Sequence, residues 1–128
     1  MKILYVEPMA LPKVIEVEND LRTLQSLVGG YIQALYPWDD EVAILCDDEG
    51  KFKPYLLNRV LESDDGEIYD IIAGNFLIVG LTYDNFGSLS DEYIVKYRKK
   101  FRKPEVFMRT EDRHLLMLRG NEKARVIA

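Results

Sequence analysis

The sequence predicts an α+β fold, a mainly antiparallel sheet built from hairpins, with two helices over about 20–28 and 89–102. Three observations predict it. Short apolar runs of strand length recur through the first 81 residues, punctuated by Gly, Pro, Asn and Asp. Most of the intervals between them are too short for a helical crossover, which disfavours a doubly wound parallel sheet. Helical spacing of apolar residues is confined to two places, after Asn19 and after Ser88.

Lys2 to Val6 alternates apolar and polar residues and reads as a first strand, ended by Glu7-Pro8, with Val14 to Val17 as its hairpin partner. Asn19 or Asp20 suits the N-cap of a short helix with Leu21, Leu24, Leu27 and Val28 on one face, and Gly29-Gly30 stops it. Tyr31 to Tyr36 and Val42 to Cys46 read as a second antiparallel pair, separated by the acidic, Pro-broken Pro37-Trp38-Asp39-Asp40-Glu41. Beyond the Asp47-Asp48-Glu49-Gly50 turn, Pro54 to Leu61 fits either a short helix or an irregular loop. Asp65-Gly66 then marks a tight turn, since Gly tolerates positive φ and Asp can bond the backbone ahead of it. Ile68 to Ala73 and Phe76 to Leu81 follow as two buried strands expected side by side, closed by Gly74 and Gly80.

Ser88, three residues before Asp91, matches a capping box for a helix whose Tyr93, Ile94, Tyr97 and Phe101 share one face. Its other face carries Lys96, Arg98, Lys99 and Lys100, followed by Arg102 and Lys103, which complements the negative C-terminal end of the helix dipole before Pro104 ends it. Residues 1–104 therefore read as a single α+β domain. Residues 105–128 read as a C-terminal extension packing on that domain or on a partner, with Leu115-Leu116-Met117-Leu118 as its one apolar run.

Composition bounds the chemistry. With 48% apolar residues the 128-residue chain can bury a core without help from disulfides or a structural metal. The lone Cys46 cannot form an internal disulfide, Met1 to Glu7 lacks a leader-like apolar region, and no run approaches the roughly 20 apolar residues of a membrane span. The expected location is the cytoplasm, with no membrane contact. Net charge is −5, but residues 1–95 hold 6 Lys+Arg against 18 Asp+Glu and residues 96–128 hold 11 against 4. An acidic body thus attracts a basic partner, while the basic end attracts an acidic partner or polyphosphate.

The acid clusters Asp39-Asp40-Glu41 and Asp47-Asp48-Glu49 lack the alternating spacing that wraps oxygens around one cation, and read as solvated turns. Asp65, Glu67 and Asp70 are denser, yet no His or Lys lies beside them in the chain, and His114 is the only histidine. No metal site and no cofactor are expected, and Cys46 reads as a core residue. Asn58-Arg59 is the polar pair most suited to recognition, because it interrupts an apolar stretch and the guanidinium fork fits carboxylate or phosphate. The alternative for Arg59 is an internal bridge to Asp65, Glu67 or Asp70. Tyr36 and Trp38 suit a stacking wall or, at strand positions, the core. Nucleic acid, which could be met only by Lys96, Lys99, Lys100 and their neighbours, is disfavoured by the acidic body.

Several of these motifs occur in a telling order. Val28-Gly29-Gly30-Tyr31-Ile32, Tyr36-Pro37-Trp38-Asp39-Asp40, Leu57-Asn58-Arg59, Asp65-Gly66-Glu67-Ile68-Tyr69-Asp70-Ile71-Ile72-Ala73-Gly74 and Phe76-Leu77-Ile78-Val79-Gly80 together resemble the domain-of-unknown-function family 3846, carried by phages and mobile elements of Gram-positive bacteria. The resemblance covers about residues 1–105. Where that family typically reads Gly-Leu-Pro-Leu-Asn-Arg, this chain has Lys53-Pro54-Tyr55-Leu56-Leu57-Asn58-Arg59, so a different backbone is expected before Asn58. The resemblance implies a genomic setting more than a reaction. It leads to the expectation of a non-enzymatic binding protein that acts on a host pathway, such as defence, by occupying a host protein or sequestering a small anionic ligand. Two alternatives are a metal-dependent hydrolase or nucleotide-processing enzyme using Asp65, Glu67 and Asp70, and a structural accessory domain forming a homo-oligomer through its tail.

Overall fold

A computed structural model describes residues 1–128. Its main sheet is antiparallel, in the order β2 (Lys13–Glu16), β1 (Lys2–Val6), β7 (Phe76–Leu81), β4 (Val42–Asp47) and β3 (Ile32–Leu35), with the two-residue β8 (Phe86–Gly87) also paired to β7. Both expected hairpins, β1–β2 and β3–β4, are present. β5 (Leu57–Glu62) and β6 (Ile68–Ala73) form a separate hairpin around Asp65-Gly66, where Gly66 takes a φ of 84°. A three-stranded sheet from the tail completes the α+β fold, in the order β11 (Arg125–Val126), β10 (Leu115–Arg119) and β9 (Glu105–Arg109). No helix is long and apolar enough to cross a membrane.

The two central strands, β4 and β7, read as unbroken apolar runs because both faces of the main sheet are covered. Period-two alternation splits their side chains between two cores. On one face Ile3, Ala43, Leu45, Leu77 and Val79 pack with Leu24 and Val28 of α1 (Leu21–Val28). On the other, Leu4, Val6, Ile44, Phe76 and Ile78 meet Ile94, Tyr97 and Phe101 of α2 (Asp91–Lys100) and its end, together with Leu61 and Ile72 of the β5–β6 hairpin. Asp20 caps α1 through the Thr23 N–H, and Gly29, at a φ of 95°, terminates it.

Four expectations change. Pro54 to Leu61 is not a helix, and only Pro54 to Leu56 is irregular: a 3₁₀ turn over Gly50–Phe52 leads through them into β5, whose Val60 and Leu61 are buried. β6 and β7, consecutive in the chain, do not pair, because Gly74, at a φ of 80°, redirects the chain from the small hairpin into the main sheet. The cap of α2 is Ser90 rather than Ser88, since Ser90 Oγ accepts the Tyr93 N–H while Ser88 Oγ accepts the Lys2 N–H. Asp47 is a buried strand residue rather than part of a solvated turn.

Candidate functional site

Asn58 and Arg59 are wholly buried, which corrects the expectation that they face a ligand. Asn58 donates to the carbonyls of Val6 and Gly74, at 3.0 and 2.8 Å. Arg59 donates to the carbonyl of Phe101 from both Nε and Nη2, to the carbonyl of Ala10 from Nη2, and to Asn58 Oδ1 from Nη1. Nor does it bridge to Asp65, Glu67 or Asp70. Its charge sits against the carbonyl of Phe101, the C-cap of α2, where a cation is favoured by the helix dipole. Burial pushes its pKa down, and nearby Glu105 partly offsets that.

The glycine motifs are structural for a similar reason. Tyr55 lies between two of them: its hydroxyl donates to Asp47 at 3.0 Å, and a Cβ at Gly74 would come within 2.8 Å of its ring. A Cβ at Gly30 would lie 2.9 Å from the Asp47 carboxylate. Burial raises the Asp47 pKa, but Lys53 Nζ at 2.6 Å, the Glu49 N–H and Tyr55 together hold it below the usual carboxylate range.

The acids singled out as a possible enzyme cluster are spent separately. Asp65 accepts from Ser63 Oγ and the Glu67 N–H within its own turn, while Asp70 pairs with Lys51 at 2.5 Å. The Glu67 side chain is exposed, and no group of three or more His, Cys, Asp or Glu residues is arranged to hold a metal ion. Cys46 is buried, with its thiol pushed up to about 11 by burial and then by nearby Asp70.

The basic residues of α2 and of the segment just past its end divide into two sets. Lys96 pairs with Asp40 at 2.5 Å, and Tyr97 donates to the same carboxylate at 2.6 Å; these two bonds hold the Asp40 pKa low. Lys100 lies 5.9 Å above the Trp38 ring, which itself stacks 4.4 Å from Tyr97. Trp38, Lys100 and Tyr69 border a cleft of about 600 Å³, but its guanidinium, Arg119, is already held by Glu62 and Glu105. Tyr36 is exposed and outside that cleft.

Arg98, Lys99 and Arg102 form the second set, and none of them makes an ion pair. With Lys103 they line a groove of about 680 Å³ whose remaining walls are Leu11, Pro12, Val95, Pro104 and Gly120. Val95, Arg98, Lys99 and Arg102 are spaced i, i+3, i+4 and i+7, one face of a helix. That spacing was the signal in the sequence; Leu11, Pro12 and Gly120 join the groove only through the fold. Apolar walls with free cations around them suit a ligand that is both anionic and greasy.

A family model described as "Domain of unknown function (DUF3846)" matches residues 1–102. The chain belongs to the DUF3846 family. No curated protein and no solved structure matches it. The DUF3846 match takes in the main sheet, the β5–β6 hairpin and both helices, and within it the motif residues Asn58, Arg59 and Gly74 are buried while Gly29 and Gly30 sit at the end of α1. Lys103, Pro104 and Gly120 lie beyond it. The basic groove is therefore built where the DUF3846 domain meets the tail.

Proposed function

We propose that this DUF3846 protein is a non-enzymatic binding protein whose recognition element is the groove of Arg98, Lys99, Arg102 and Lys103, and whose partner there is anionic. The carrying observation is three cations without ion pairs, Arg98, Lys99 and Arg102, beside Lys103, which pairs with Glu122, around apolar walls in a chain of net charge −5. A mostly acidic surface does not gather free guanidinium groups in one groove for solubility alone. By contrast, Asp40, Asp47 and Asp70 have internal cationic partners, which favours an anionic partner at the basic end over a basic partner at the body. The setting implied by the family resemblance, a phage or mobile element acting on a host pathway such as defence, belongs to this reading.

Titration with hexaglutamate and with tripolyphosphate, followed by calorimetry at low and moderate salt, tests it. Binding should weaken with salt and fall at least about tenfold when Arg98, Lys99 and Arg102 are changed to Glu together, with the melting temperature little altered. No binding of either probe, or binding indifferent to the charge reversal, would remove the groove as the site.

A further inference from the structure

The three-stranded tail sheet has two unlike faces. Cross-strand pairing places Leu118 opposite Val106, Leu116 opposite Met108, and Leu116 again opposite Val126, so these five side chains share one face. The opposite face carries Glu105, Leu115 and Met117, all buried against the rest of the molecule. It is held there by the bond from the Val60 N–H to Glu105 and by the pairs of Arg119 and Arg125 with Glu62. The first face has no such cover: Val106, Met108 and Val126 are 41%, 54% and 63% exposed, with Leu116 and Leu118 half-buried between them. Five apolar side chains on one small sheet face, with no polar residue among them, are a binding surface rather than a scattering of exposed residues.

This face adjoins the basic groove. Pro104 and Gly120, which line the groove, stand two residues from Val106 and Leu118. Its dimensions favour a helix as the occupant. Two strand spacings put β9 and β11 about 10 Å apart, close to the diameter of one α-helix, and five-residue strands run about 17 Å, or roughly three helical turns. A second copy of the chain is disfavoured by charge, since neither the apolar face nor the groove lining carries an acid that could meet Arg98, Lys99 and Arg102.

Building on the proposed anionic partner, we infer that the partner is a protein and that its docking segment is an acidic amphipathic helix. The apolar stripe of that helix lies on Val106, Met108, Leu116, Leu118 and Val126. Its acidic flank reaches Arg98, Lys99 and Arg102. Apolar contact supplies affinity and the cation row sets orientation, the division of labour usual for a helix docked on a charged-rimmed surface.

Three probes test this on the full chain by fluorescence anisotropy: a 14-residue helical peptide with a Leu stripe and Glu elsewhere, an all-polar peptide of the same net charge, and a duplex DNA oligonucleotide. The amphipathic peptide should bind at least tenfold tighter than the other two. Met108→Thr with Val126→Thr should abolish that preference while leaving hexaglutamate binding unchanged. Equal affinity for both peptides would sink the helix while leaving the anionic groove standing, whereas failure of hexaglutamate itself would remove the groove reading on which the helix rests. Tighter binding of DNA would overturn the protein partner. Concentration-dependent dimerisation in sedimentation velocity, abolished by Met108→Thr with Val126→Thr, would assign the face to a second copy instead.

Discussion

Arg59 donates twice to the backbone carbonyl of Phe101, from Nε at 3.2 Å and Nη2 at 2.9 Å, and so ties β5 to the end of α2. The same guanidinium holds the Ala10 carbonyl and Asn58 Oδ1. Arg59→Ala removes the donors to all three acceptors, of which those of Phe101 and Asn58 are buried and that of Ala10 partly so, and each buried acceptor left unpaired costs about 1–3 kcal/mol. Urea denaturation should show a loss of at least about 3 kcal/mol, against about 0.5 kcal/mol or less for exposed Arg98→Ala. Near-native stability of Arg59→Ala, with ligand binding lost, would restore Arg59 to the surface role that its sequence context suggests.

Gly74→Ala should be strongly destabilising for two separable reasons. Its φ of 80° is strained for any residue with a Cβ, and that Cβ would lie 2.8 Å from the Tyr55 ring. In a double-mutant cycle, Tyr55→Ala should relieve the steric part, so that the two substitutions together cost less than their sum. Strict additivity would show that only the backbone strain matters.

Glu105 occupies the backbone N–H of Val60 at 2.7 Å and also accepts from Arg119 Nε at 2.9 Å, fastening β9 beside β5. Glu105→Ala should lower stability by about 1–3 kcal/mol by leaving a buried N–H without an acceptor. Glu105→Gln keeps a carbonyl oxygen for Val60 and should cost less. Equal losses for the two variants would move the effect from the Val60 bond to the charge.

Acid should loosen the tail before alkali does. Burial pushes the Glu62 pKa up, but Arg119 and Arg125 outweigh it and hold the folded value below the usual carboxylate range. A carboxyl depressed in this way contributes its stability above its unfolded pKa of about 4.3 and loses it as pH falls through the folded value. Asp47 acts in the same direction. Burial raises the Glu105 pKa instead, so its contribution has the opposite sign and fades as pH rises past about 4.3. Stability measured between pH 6 and 3 should therefore fall below about pH 4, and Glu62→Gln should flatten that fall. An unchanged slope in the variant would place the acid sensitivity elsewhere.

The Cys46 thiol, buried and pushed up to about 11, leaves only about one molecule in a thousand as thiolate at pH 8. A thiol-disulfide reagent should leave the native protein unmodified over an hour and react fully in guanidinium chloride. Stoichiometric reaction of the native protein would require an opening that the β4 packing does not show.

What the sequence determined by itself was local: the two hairpins flanking α1, a cap at Asn19 or Asp20 and the Gly29 stop, the Asp65-Gly66 turn, the apolar face of α2, and membership of a family through motifs kept in order. Those signals are periodicities and turn chemistry, which act over a few residues. Which way a polar residue faces was decided only by the tertiary structure. Asn58 and Arg59 read as a recognition pair because a charge is costly to bury, yet carbonyls from Val6, Ala10, Gly74 and Phe101 converge to satisfy them inside. Asp65, Glu67 and Asp70, close in the chain, do not converge, because a turn and an alternating strand point neighbouring side chains apart: Asp65 stays within its turn, Asp70 meets Lys51 and Glu67 faces solvent. The basic residues of α2 were visible as a face, but their division into Lys96 and Lys100, engaged with Asp40 and Trp38, and Arg98, Lys99 and Arg102, left free along a groove, required long-range contacts spanning more than fifty residues.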